Sequence, residues 1–180
     1  MTMLRQGLLD GRAIAVAGGV PPAISDALTA LGARVEELDA ALDEDGAREW
    51  AEGAAGTRAL VYDAASAFAS DGEGALREAL ERAWVAVRGI ATGALIPAAG
   101  GKVVLIGPRP DAGPFAGAAR AALENLARTL SVEWARYGIG TVAIAPGAHT
   151  DNDEVAELVC FLVSPAGEYF TGCVFELGSV

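Results

Sequence analysis

The chain has 180 residues, of which 52% are hydrophobic and 21% charged, so it is expected to fold as one domain, residues 1–180, around its own core rather than stay disordered. Its formal net charge is −11 and its only lysine is Lys102, which argues against nucleic acid and anionic membrane surfaces as partners, because both repel a net negative protein. The opening run MTMLRQGLLDGR carries charge, and no apolar stretch reaches the roughly 20 residues that span a bilayer, so a cytoplasmic chain without signal peptide or membrane span is expected.

In chain order, Ala13–Ala17 reads as a buried strand. Pro22–Leu31 reads as a helix that opens on proline and stops at Gly32. Arg34–Leu38 is a second strand, Asp43–Ala51 a short acidic helix and Ala59–Tyr62 a third strand. Ala75–Leu95 is a long helix with an apolar stripe of Leu76, Leu80, Ala83, Trp84, Val87, Ile90, Ala91 and Ala94. Its outer face of Arg77, Glu78, Glu81 and Arg82 is interrupted by Val85 and Gly89. Val103–Ile106 is a fourth strand, Ala116–Tyr137 a second long helix and Thr141–Ala145 a fifth strand. Asp153–Val163 is a last helix and Cys173–Leu177 a closing strand.

Alternation of continuous apolar strands with helices implies an α/β fold with a mostly parallel sheet covered on both faces. Cys160 and Cys173 lie in apolar contexts without metal-ligand spacing and read as buried, reduced thiols, and no metal site is expected.

The last third carries motifs. The run Ala119–Glu133, the segment YGIGTVAIAPG at 137–147, the helix EVAELVCFLVS at 154–164 and the turn YFTG at 169–172 follow one another. Together they resemble the active-site helix and closing elements of short-chain dehydrogenases/reductases. The resemblance implies a Rossmann-like, doubly wound sheet of about six strands. Only about twenty residues separate Asp39 from Ala59, too few for helix, strand and helix, so one family edge strand is expected to be missing.

The same resemblance exposes losses. The family's chemistry needs a Tyr to protonate the carbonyl oxygen, a Lys one helical turn on to lower the Tyr pKa, and a Ser to hold the developing alkoxide. Those positions fall on Ala116, beside Phe115, on Arg120, and on Gly107 or Pro108; a structural Asn falls near Ala86. Alanine, glycine and proline side chains carry no exchangeable proton.

The family's glycine turn for the dinucleotide pyrophosphate is shortened here to AGGVPPAI at 17–24, where two prolines remove two N–H donors. Gly18, Gly19, a ribose-facing Asp39 and Asp63 are the candidate cofactor residues, with no bound cofactor expected and NAD or NADP as the alternative. Only Ala148–Asp153 stand where the family carries a substrate-covering segment. His149 and Tyr62 are the candidates for a displaced acid.

On the second long helix, Ala119, Leu123, Leu126, Leu130 and Trp134 form a core stripe. A second stripe of Ala118, Ala122, Asn125, Thr129 and Val132 is small enough to admit another helix. The expectation is a non-catalytic subunit that pairs through its two long helices with itself or with a full-length short-chain dehydrogenase, and that could add its closing strand Cys173–Leu177, which ends in Gly178-Ser179-Val180, to the contact. The alternative is an NAD(P)-dependent oxidoreductase with displaced catalytic residues.

Overall fold

Strand β1 (Ala13–Gly18) is apolar at every position before its final glycine and is covered on both sides, as a central parallel strand must be. A computed structural model describes residues 4–39, 41–54, 56–68 and 74–178. Helix α1 (Pro22–Ala30) leads to β2 (Arg34–Glu37), α2 (Glu44–Gly53) to β3 (Thr57–Asp63), and α3 (Gly74–Ile90) to β4 (Gly101–Ile106). Helix α4 (Ala116–Glu133), β5 (Ile139–Ala145), α5 (Asn152–Leu162) and β6 (Val174–Glu176) complete the order. The six strands form one parallel sheet in the order β2-β1-β3-β4-β5-β6. The chain steps from β1 to the edge strand β2, then returns across β1 to β3, so the strand order reverses between β1 and β3.

The pleat sends alternate residues into two cores. Ile14, Val16, Val61, Val104, Val142 and Ile144 meet α1 and α5 on one face. Ala15, Leu60, Tyr62, Val103, Leu105 and Ala143 meet α2, α3 and α4 on the other. Helix α4 faces this core with Ala119, Leu123, Ala127 and Leu130, all buried, at one-turn spacing. Each buried leucine contributes about 1.5–3 kcal/mol relative to exposure.

The two long helices end earlier than periodicity suggests. Residues Ala91–Leu95 form a single π-helical turn after α3. There the Thr92 hydroxyl donates to Arg88 O at 2.8 Å, which loosens the ladder. After α4 the chain tightens into a short helical turn, Ala135–Tyr137, stopped by Gly138 in the left-handed region.

Gly89 is not on the outer face of α3. It is buried where α2 crosses, and a Cβ there would lie 2.5 Å from that of Ala47. Trp84 leaves the core stripe and lies 39% exposed beneath the Arg88 guanidinium. On α4, Leu126 and Trp134 are only partly buried, and Ala127 takes the full burial. Cys160 is buried, but Cys173 is only half-buried; both thiols are free. Met1–Met3 of the opening run and the terminal Ser179-Val180 lie outside the described residues. No helix among the described residues is long and apolar enough to cross a membrane.

Candidate functional site

In open α/β sheets, ligands bind outside the carboxyl ends of the strands where the order reverses. Here that point lies between the ends of β1 and β3, and the two ends are in contact. The Gly19 N–H donates to Asp63 O at 3.0 Å. Gly18 adopts φ +85°, and a Cβ on it would lie 2.0 Å from Asp63 O. A Cβ on Gly19 would lie 2.6 Å from that of Ser66. Both glycines are thus required by the approach of β3 and its following turn.

The donors a pyrophosphate would use are scarce. Pro21 and Pro22 have no N–H, and the Ile24 N–H is bonded back to Pro21 O at 3.0 Å. Asp39 lies beyond the end of β2, and its carboxylate accepts from the Ala41 N–H at 2.8 Å. The hollow beside it, lined by Gly18, Leu38, Tyr62, Arg82 and Ala86, has about 10 Å³ of free space, room for one water molecule. These residues fit a dinucleotide poorly.

Asp63 is 4% exposed. Its Oδ1 accepts from the Ala65 N–H at 2.7 Å, fixing the turn after β3. Burial pushes its carboxyl up to about 7, although the Ala65 N–H and the Arg109 charge pull the other way. Sequence reasoning missed Arg109. It follows Gly107-Pro108 at the end of β4, and its guanidinium donates to Thr150 O and, at 3.2 Å, to Asn152 Oδ1. A lone arginine in a Pro/Gly turn gives no signal of a partner 41 residues away.

The positions that the sequence resemblance assigns to the family's catalytic residues hold other chemistry. Ala116, at the Tyr position, is fully buried at the start of α4, with Phe115 before it. Gly107 and Pro108, at the Ser position, are buried, and Ala86, at the Asn position, is buried on α3. Arg120, at the Lys position, donates through Nη1 to Pro108 O at 2.9 Å and Pro146 O at 2.6 Å. Its charge therefore ties the turns after β4 and β5 together. The adjoining hollow, lined by Gly107, Arg120, Glu124 and Glu176 among others, measures about 60 Å³, well below the roughly 300 Å³ at which small-molecule sites begin.

Tyr62 does not reach the strand ends with its hydroxyl. That group is buried against α3 and donates to Ala79 O at 3.2 Å, and burial raises its pKa. His149 is exposed in the turn before α5. That turn is pinned: the Gly147 N–H donates to Thr150 Oγ1 at 2.9 Å, the Thr150 hydroxyl donates to Leu177 O at 3.2 Å, and Asp151 and Glu154 form a capping box on α5.

Of the small stripe on α4, Ala118, Asn125, Thr129 and Val132 are exposed and Ala122 partly so; Val132 is 77% exposed. No group of three or more His, Cys, Asp or Glu among the described residues is placed to hold a metal ion.

No family model matches the chain. A tropinone reductase homolog of Arabidopsis thaliana is 34% identical over an 89-position match, covering 34% of this chain and 34% of that protein. The match thus spans about a third of the curated relative's length. Among solved structures, a citronellol catabolism dehydrogenase of Pseudomonas aeruginosa superposes with TM-score 0.78 at 23% identity, covering 97% of this chain and 96% of the other. An NAD(P)-dependent gluconate 5-dehydrogenase, so described, from Beutenbergia cavernae, with NADP bound at low occupancy, gives 0.73 at 23%, covering 93% and 95%. A doubly substituted short-chain dehydrogenase/reductase of Serratia marcescens gives 0.72 at 20%, covering 94% and 97%. The chain has the fold of the short-chain dehydrogenases/reductases and resembles that family in the sequence of its closing elements.

Proposed function

We propose that this chain is a single-domain, non-catalytic protein on the short-chain dehydrogenase fold. In this reading it is a structural subunit that pairs through α3 and α4 with a second copy or with a full-length short-chain dehydrogenase. The observation that carries it is the Arg120 clamp on Pro108 O and Pro146 O, beside a buried Ala116. Reduction of a carbonyl needs a proton donor at the nascent alkoxide and a cation that tunes that donor. Here the cation is committed to backbone carbonyls, and the donor position is an alanine packed in the core. The engaged Gly19 amide and the two prolines at the start of α1, Pro21 and Pro22, support a subunit that works without NAD or NADP. The exposed small residues of α4 support pairing, and the reading places the chain in the cytoplasm, where both thiols stay reduced.

One feature favours a second reading, an NAD(P)-dependent oxidoreductase with displaced residues: Asp63 is buried at the reversal point, and burial pushes its carboxyl up to about 7. Thermal melts with NADH and NADPH separate the two. A dinucleotide at 100 times its Kd stabilises the folded state by about 2.7 kcal/mol. No shift with either is expected. A concentration-dependent rise, with consumption of the reduced cofactor against a carbonyl, overturns the non-catalytic reading. For the pairing, Ala122→Arg on the α4 stripe is expected to yield monomers in sedimentation. A native chain that is monomeric at every concentration, with no dehydrogenase co-purifying, sinks that half.

A further inference from the structure

A concavity of about 740 Å³ lies at the opposite end of the sheet, under the amino ends of β1, β3, β4 and β5. That volume falls within the range of small-molecule sites, about 300–1,000 Å³. Arg12 lines it from just before β1, Arg58 from the start of β3 and Lys102 from the start of β4. Against these three cations it holds one carboxylate, Glu168, which pairs with Arg12 at 3.0 Å. In a chain of net charge −11 this is a local excess of positive charge.

Each cation is held in place by a neutral backbone carbonyl. Lys102 Nζ donates to Phe170 O, Arg58 Nη1 to Ala98 O at 2.9 Å, and Arg12 Nη1 to Val163 O at 3.1 Å. The remaining donors of the Arg58 fork and the Lys102 ammonium are thereby positioned in advance, which lowers the entropy cost of binding. Lys102 is only 5% exposed, yet no carboxylate among the described residues is bonded to it. Burial pushes its pKa down to about 8, with Cys173 and Glu168 the groups that pull it back up. A buried ammonium without a paired charge is costly, and an anion in the cleft would supply that charge.

Gly140 leaves room for the ammonium: a Cβ there would lie 3.2 Å from Lys102 Nζ, tighter than an ordinary contact.

We propose that this cleft binds a small dianionic oxyanion, a phosphate group or a dicarboxylate, between Lys102, Arg58 and Arg12. The site is remote from the carboxyl ends of the strands, so it stands or falls independently of the cofactor question. Calorimetric titration of the full chain with inorganic phosphate and with succinate, at ionic strength held constant with sodium chloride and without nucleotide, tests it. Saturable one-to-one binding of at least one dianion is expected, and which of the two binds identifies the source. Arg58→Gln, at an exposed position that leaves the core intact, is expected to weaken binding about tenfold or more, the loss of one charge-assisted bond. Lys102→Met is expected to abolish it. Absence of saturable heat with both dianions, or an Arg58→Gln chain that binds as tightly as the native one, overturns the proposal.

Discussion

At the carboxyl ends of the strands, the cationic side chains are turned onto the protein itself: Arg120 onto Pro108 O and Pro146 O, Arg109 onto Thr150 O and Asn152. Two hollows lined by described residues there measure about 10 and 60 Å³. At the amino ends, Arg12, Arg58 and Lys102 stand around an open cleft of about 740 Å³. An α/β sheet ordinarily keeps its ligand site at the first of these ends. The contrast teaches that cations at the carboxyl ends of strands can serve to hold the turns together. The end that normally only supports the fold is then the one where three cations, one exposed at Arg58, one buried at Lys102 and one paired with Glu168 at Arg12, line an open cleft.

The largest effect that would break this contrast is at Gly18. Gly18→Ala forces a Cβ into Asp63 O at a backbone angle that alanine disfavours, and a loss of more than about 4 kcal/mol is expected in urea unfolding. If the variant is as stable as the native chain, the ends of β1 and β3 are not closed on each other and the crevice is open to a ligand. Next comes Arg120→Ala. It strips the partner from two buried carbonyls, Pro108 O and Pro146 O, at about 1–3 kcal/mol for each unsatisfied group, so a loss of about 3 kcal/mol is expected. A neutral result would mean that the arginine is not a clamp and is free to serve a ligand.

Asp63 sharpens the comparison through pH. Its folded-state pKa of about 7 lies above the ordinary carboxylate value of 3.8, so the folded chain holds this proton more tightly than the unfolded chain. The ionised form is therefore penalised in the fold. The penalty is absent well below pH 3.8, grows as pH rises and is complete above about 7. Relative to Asp63→Asn, the native chain is expected to lose about 2–3 kcal/mol of stability between pH 5 and pH 8. Parallel pH profiles for the two chains would show that Asp63 is already solvated or paired with an ion.

The sheet and its helices were legible because fully buried parallel strands leave unbroken apolar runs, such as Ala13–Ala17 and Val103–Ile106. Helix ends carry their own marks too, Pro22 at the start of α1 and Gly32 past its end. Periodicity assigned the core side of α3 but could not say which neighbour would cover its far side, so Gly89 was expected to face outward and proved to lie under α2. The resemblance assigns the family's Tyr and Lys positions to Ala116 and Arg120 from a local motif. The use made of Arg120 was not legible, because one bond crosses 12 residues and the other 26, onto carbonyls that no side-chain identity records. The cleft left no trace at all: residues 12, 58, 102 and 140 meet only after four strands are laid side by side.

The smallest expected effect sits at that cleft and has the opposite sign. Lys102→Met removes a buried ammonium and keeps the apolar stem, at the loss of one bond to Phe170 O. Because the folded-state pKa is depressed from 10.5 to about 8, the penalty for the charge is fully present below pH 8 and disappears as pH rises toward 10.5. In dianion-free buffer the variant is therefore expected to be more stable than the native chain by about 1 kcal/mol at pH 7, with the advantage gone by pH 10. A residue that destabilises the fold it belongs to is accounted for by a ligand more readily than by packing. If Lys102→Met is instead less stable at pH 7, the bond to Phe170 O outweighs the buried charge. Lys102 is then a structural tie like Arg120, and the two ends of the sheet cease to differ.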